Sequence, residues 1–110
     1  TIEEIVKQML RATAWLYRTG SRYGAFGNSL YVVGHSAGGH LAAMMLAAQW
    51  PRYSHDLPEK IVEGALSVSG VYDLTPLLNV PSVNNDVKLT EETAVKCSPA
   101  FMPPATDAPL

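Results

Sequence analysis

The chain has 110 residues, 47% hydrophobic and 16% charged, with a formal net charge of −2. That length allows one domain at most, and the apolar content excludes a disordered chain. No basic patch suits a nucleic acid, and no apolar run approaches a membrane span. Cys97 stands alone, so it forms no disulfide within the chain and offers no thiol-based metal site. The reading is a cytoplasmic globular protein with no cofactor. Its oligomeric state is not legible in the sequence.

Residues 1–18 predict an amphipathic helix. Ile2, Ile5, Val6, Met9, Leu10, Thr13, Leu16 and Tyr17 recur on one stripe at helical spacing. Thr1 and Glu4 have the spacing of a capping box. Arg18 suits the negative end of the helix dipole, and Gly20 is the expected terminator. The stretch from Ser21 to Ser29 reads as a loop, with Gly24, Gly27 and Asn28 as turn formers.

A strand is expected from about Leu30 to Gly34. It is apolar at consecutive positions, the pattern of a strand covered on both faces. It runs directly into Gly34-His35-Ser36-Ala37-Gly38-Gly39. An Ala- and Met-rich helix from about Ala37 to Gln49 follows, apolar on nearly all sides and therefore buried. Trp50-Pro51 is its expected end.

Strand, Gly-x-Ser-x-Gly and helix together predict a nucleophile elbow. Ser36 would stand at the tip of a sharp turn, so its neighbours must be small. Gly34 and Gly38 let strand and helix approach, His35 fills an elbow position, and Gly39 brings the first helical turn close to the sheet. The N–H of Ala37 would donate one oxyanion-hole hydrogen bond at the positive helix end.

Arg52 to Lys60 reads as a polar loop. Ile61 to Gly70 reads as a second buried strand, parallel to the first through a right-handed βαβ crossover. Ligands in such sheets bind beyond the carboxyl ends of the strands, where Ser36 and the Ser69–Asp73 turn both fall. Leu74 to Val87 reads as loop, punctuated by Pro76 and Pro81. Thr90 to Lys96 is a short helix with Thr90 as N-cap, and Ser98-Pro99 breaks it. The tail, with Pro103, Pro104 and Pro109, shows no periodicity. The fold class is α/β, with parallel strands and flanking helices around the elbow.

A serine nucleophile needs a histidine base and an acid that orients it, in the chain order Ser, Asp or Glu, His. The last histidine, His55, precedes every acid that follows Ser36. His35 should point away from the serine by strand alternation. His40 lies four residues down the helix, where a packing role is expected, and His55 lies at the wrong sheet edge. The three histidines lack a clustered ligand spacing, so no metal site is expected. The expectation is that residues 1–110 form the central segment of a single, incomplete domain.

These residues have a familiar look. Thr1–Val6 through Trp15-Leu16-Tyr17, then Leu30–Ala42, Ser69–Leu74 and Ser98-Pro99, resemble the kynurenine formamidase (arylformamidase) group of esterase-like α/β-hydrolases. The resemblance implies Ser36 as nucleophile and Ala37 as elbow oxyanion donor. It implies a small acyl substrate, N-formylkynurenine, hydrolysed to kynurenine and formate in tryptophan catabolism. The second oxyanion donor would precede Thr1, and the triad acid and histidine would follow Leu110. Asp73 is not the triad acid, because this turn precedes the acid-bearing strand in the family. A general carboxylesterase is the alternative within enzymes. A non-catalytic binding protein on the hydrolase fold is the alternative outside them.

Overall fold

The computed structural model describes residues 1–24 and 29–110. Gly27 and Asn28, expected as turn formers, lie outside the described residues. Helix α1 spans Ile2–Thr19, strand β1 Tyr31–His35 and helix α2 Ala37–Ala47. A short helix α3 spans Trp50–Tyr53, and strand β2 spans Gly64–Val68. Helices α4 (Pro81–Val87) and α5 (Glu91–Lys96) follow. Single 3-10 turns occupy Gly20–Tyr23, Thr75–Asn79 and Pro99–Phe101. Among the described residues, no helix is long and apolar enough to cross a membrane.

The capping box at α1 forms as its sequence predicts. The Glu4 N–H donates to Thr1 Oγ1 at 3.2 Å, while Thr1 Oγ1 and the terminal amine donate to the Glu4 carboxylate. Gly20 does not stop the chain. It keeps a right-handed φ of −55°, and the backbone tightens into a 3-10 turn. The left-handed stop falls at Gly24, with φ +84°, a region that costs glycine nothing.

Prolines account for most of the other differences. Trp50-Pro51 does not itself end α2, which closes at Ala47 with Ala48 extended as its C-cap. It opens α3, with proline in the first turn. Pro76 and Pro81 likewise start the Thr75–Asn79 turn and α4, within a stretch expected to be loop. Proline lacks the N–H that a first helical turn leaves unpaired, and its fixed φ suits that position. Thr90 caps α5 as expected, in a reciprocal pair with Thr93.

β1 and β2 pair in parallel, with Tyr31 opposite Gly64 and His35 opposite Val68. The second strand is shorter than expected: Ile61 and Val62 are buried but precede the ladder. The tail reaches the same sheet, where the Ala65 N–H donates to the Pro109 carbonyl at 3.0 Å. α2 packs across both strands. The strand pattern suits burial on both faces, but two strands and their helices cannot cover both. Tyr31 and Val33 are 66% and 72% exposed, and Leu66 is 58% exposed. The described helices shield one face only.

Two apolar clusters form the core, and the first of them holds α2. The first joins Val6 and Ala14 of α1, Met44 and Met45 of α2, Trp50 of α3, and Leu57, Ile61 and Val62. The second joins Leu74, Leu89, Ala94 and Cys97, with Ile2, Val71, Leu77 and Val87 packed against it. Outside the first cluster, Arg18 grips Asp56 with two hydrogen bonds of 2.7 and 2.8 Å. The guanidinium holds the Asp56 carboxyl well below the usual carboxylate range. Lys96 reaches Glu3 at 2.8 Å and ties α5 to α1.

Trp50 is 1% exposed and is the largest fully buried side chain. Trp50→Ala should therefore cost about 3–5 kcal/mol, read as a lowered midpoint in urea titration of the protein. An effect below about 1 kcal/mol would show that the first cluster does not carry the fold.

Candidate active site

The elbow is built by two close approaches. The Ser36 N–H donates to the Val68 carbonyl at 2.9 Å, which extends the parallel ladder to the serine itself. The Ser36 carbonyl then accepts from the His40 N–H at 3.1 Å and begins α2. Between these bonds the backbone must turn sharply, and Ser36 takes φ 55° and ψ −117°. Such a conformation in a residue with a side chain costs on the order of 1–3 kcal/mol and persists only when its surroundings impose it. Ser36 and Ala37 are both exposed.

The surroundings impose it through glycines. A Cβ on Gly34 would collide with the Gly38 carbonyl group. A Cβ on Gly39 would lie 2.8 Å from Ser67 Oγ and 2.9 Å from the Gly70 Cα. Gly38 plays a different part. A Cβ there meets nothing within 4 Å, so its backbone, not its missing side chain, fills the space that Gly34 leaves. His35 is exposed and stands opposite Val68 in the ladder.

A hydroxyl relay fixes the far side of the turn. Tyr72 Oη donates to Ser67 Oγ at 2.8 Å, and Ser67 Oγ donates to the Gly39 carbonyl at 2.8 Å. The residues after β2 thereby hold the first turn of α2. The Ser36 side chain makes no capping hydrogen bond to α2. The first N–H groups of the helix thus lack the usual side-chain cap, and the positive end of the dipole lies at the serine.

His40 is 2% exposed, and its Nε2 lies 2.7 Å from the Cys97 carbonyl. A carbonyl only accepts, so Nε2 carries the proton. Burial pushes the His40 pKa below its ordinary value of 6.5. The contact pins α2 to the end of α5, where Ser98 is also buried. Ser98 Oγ donates to the Ala94 carbonyl at 2.5 Å and accepts from the Leu74 N–H at 2.8 Å. Cys97 is a buried free thiol whose pKa burial raises, which favours its unreactive protonated form.

A cavity of about 290 Å³ opens beside the serine, bounded by Ser36, Ala37, His40 and a set of apolar side chains. Leu77, Val83 and Val87 are in that set. The sequence marks Ser36 and Ala37 but none of this apolar wall, because the segment from Leu74 to Val87 reads as loop. Its one available signal was the spacing of Val83 and Val87, four residues apart on a single turn of helix. Asp73 stays out of the lining. It accepts from the Thr75 N–H at 2.9 Å and from Thr75 Oγ1 at 2.6 Å, which lowers its pKa. His55 and Asp56 also lie outside the lining. Among the described residues, no group of three or more His, Cys, Asp or Glu could hold a metal ion.

Parallel strands, flanking helices and the strained serine turn define a partial α/β-hydrolase fold. The chain belongs to the BD-FAE family, whose model matches residues 3–102. Kynurenine formamidase of Salmo salar is 48% identical over 77 residues, which cover 70% of this chain and 25% of the relative. Kynurenine formamidase of Danio rerio is 51% identical over 73 residues, covering 66% and 24%. Kynurenine formamidase of Drosophila melanogaster is 33% identical over 101 residues, covering 90% and 32%. The chain thus spans a quarter to a third of the length of these curated relatives. A crystal structure of a candidate thioesterase from Silicibacter sp. TM1040 matches with a TM-score of 0.72 at 30% identity, over 94% of this chain and 36% of that one.

Two predictions follow from the elbow geometry. Gly34→Ala should destabilise the protein by about 3 kcal/mol or more, because helix backbone must move. Gly38→Ala should be neutral or stabilising by up to about 1 kcal/mol, since alanine is the better helix former. Denaturant titration of both variants checks the contrast, and equal costs would contradict it. Separately, a histidine with a depressed pKa contributes stability that is complete above its ordinary value of 6.5. That stability falls with pH between 6.5 and the lower folded-state value, because the unfolded chain binds the proton more readily. Urea midpoints measured from pH 7 to pH 5 should decline, with a flatter slope in His40→Gln.

Proposed function

We propose that this chain carries the nucleophile of a serine hydrolase, and that the complete protein hydrolyses an aryl formamide. The substrate is N-formylkynurenine, with kynurenine and formate as products. The observation that carries this reading is Ser36 itself. An exposed serine holds a positive φ at the carboxyl end of a parallel strand, directly before a helix N-terminus. The names of the relatives support the formamide substrate.

The chemistry is acyl transfer to water. Ser36 Oγ attacks the formyl carbon while a histidine takes its proton. The Ala37 N–H donates to the developing oxyanion. The same histidine returns the proton to the departing amine, which leaves a formyl ester on Ser36. Water, deprotonated by that histidine, attacks the ester and releases formate. His40 is not this base, because its Nε2 proton is committed to the Cys97 carbonyl. The base and its acid come from the rest of the domain, of which these residues are the central segment, so residues 1–110 alone are inactive.

Ester or thioester hydrolysis is the second reading, favoured by the candidate thioesterase among the structural matches. The same serine would serve it with a different leaving group. The test is labelling with a fluorophosphonate probe, on the full-length protein and on residues 1–110. The full-length protein should label, and Ser36→Ala should abolish labelling and lower turnover of N-formylkynurenine by about 10⁴-fold or more. Turnover of phenyl acetate but not of the formamide would favour the second reading. Absence of labelling in the full-length protein would sink both in favour of a binding protein. Labelling of residues 1–110 alone would mean that a histidine within them acts as base.

A further inference from the structure

The cavity beside Ser36 is walled by hydrocarbon. Among the described residues, every lining residue apart from Ser36 and His40 is apolar, and no carboxylate, lysine or arginine takes part. Leu74 and Leu89 come from the buried second cluster. Leu77 comes from the Thr75–Asn79 turn, and Val83 and Val87 from α4. The volume of about 290 Å³ is at the small end of ligand pockets, which run from about 300 to 1,000 Å³. An apolar cavity of about 150 Å³ is enough to take up benzene. There is room here for a substituted ring.

A formyl group has no hydrocarbon to bury, so the acyl half of the proposed substrate gains nothing from this wall. A charged ammonium or carboxylate would lose its hydration there without finding a partner. Only the ring of the leaving group matches the surface. We infer that the cavity between α4 and the elbow receives the uncharged aryl ring of the leaving group, and that Val83 and Leu77 set the ring size it accepts. This inference rests on the formamidase reading. It adds which half of the substrate lies against these residues and which side chains select it.

The wall is suited to such a role. Neither α4 nor the Thr75–Asn79 turn contributes a fully buried residue, and Val83 is 38% exposed. Val83 belongs to neither core cluster, so its side chain can change size without emptying one, and Leu77 is only packed against the second.

The test compares phenyl formate with methyl formate on the full-length protein. In Val83→Trp, which narrows the cavity, the ratio of kcat/KM for phenyl over methyl formate should fall about tenfold or more, the scale of a misfit in a hydrophobic pocket. In Leu77→Ala, which widens it, naphthyl formate should gain on phenyl formate. Affinity for aniline, read by ligand-observed NMR, should fall in Val83→Trp by a similar factor, and this readout needs no turnover. Ratios and aniline affinity that do not move in either variant, with Ser36 still labelled by the fluorophosphonate, would overturn the assignment and leave the serine reading intact. Changed discrimination between formyl and butyryl esters instead would overturn it in favour of an acyl pocket. Weakened aniline binding in a protein that turns over neither formate ester would support the cavity and sink the serine reading.

Discussion

The contact between Gly34 and the backbone of Gly38 sets the geometry of everything around it. A strand and the helix that follows it cannot normally come this close, because a Cβ stands between them. Here no Cβ does, and the gap closes until only one backbone conformation joins the two elements. Ser36 absorbs that demand in its positive φ. The strain is local, but its support is not. The Val68 carbonyl holds the serine amide, the Tyr72–Ser67 relay holds the Gly39 carbonyl, and Gly70 leaves room for Gly39. The supporting residues Ser67, Val68, Gly70 and Tyr72 all lie more than thirty positions downstream of Ser36, at the end of β2 and just beyond it. The elbow is thus a product of the βαβ unit as a whole and not of the six-residue motif.

α2 has the task of resisting this strain, and its composition explains how. It is apolar around most of its circumference, so it packs on several sides at once. Met44 and Met45 engage α1 and Trp50, while His40 reaches the turn after α5. A helix with one apolar stripe could rock about its contact line. This one is held by an apolar cluster towards its C-terminal half and by a buried hydrogen bond near its N-terminus. The second hold is polar in an apolar setting, which gives it direction. Nε2–H and the Cys97 carbonyl satisfy each other only in one orientation, and a buried unpaired partner would be costly. α5, at the far end of the chain, is therefore part of the support for the serine turn.

The sequence made some of these features plain and hid others for identifiable reasons. The elbow was legible because its constraints are local: a strand, small residues around a serine, and an immediate helix leave few alternatives. The Thr1–Glu4 capping box was legible for the same reason. The role of Gly38 was misjudged, because a motif shows which residues are small and not which of them faces a neighbour. α4 is hidden in the sequence because Pro81 reads as loop punctuation although it stands in the first helical turn, and because seven residues are too few for a periodic stripe. The uncovered sheet face reflects how few elements this segment brings to the sheet. Consecutive apolar positions report that both faces are suited to burial, but Tyr31, Val33 and Leu66 do not say what covers them.

The same distinction bears on the cavity. Its polar groups are few and close to the elbow, whereas its apolar wall comes from short elements with low intrinsic regularity. Reaction geometry demands a backbone fixed to a fraction of an ångström, and the sheet, the glycines and the buried hydrogen bonds provide it. Recognition of an uncharged ring demands only shape and the exclusion of water, which non-directional contacts provide. A seven-residue helix or a 3-10 turn is adequate for that and poor for holding a nucleophile. The division also affects electrostatics. Hydrocarbon beside the exposed end of α2 lowers the local dielectric, so the dipole and the Ala37 N–H act on a developing oxyanion with less screening than in water. On the proposed chemistry, the wall that selects the ring therefore also strengthens the groups that stabilise the transition state.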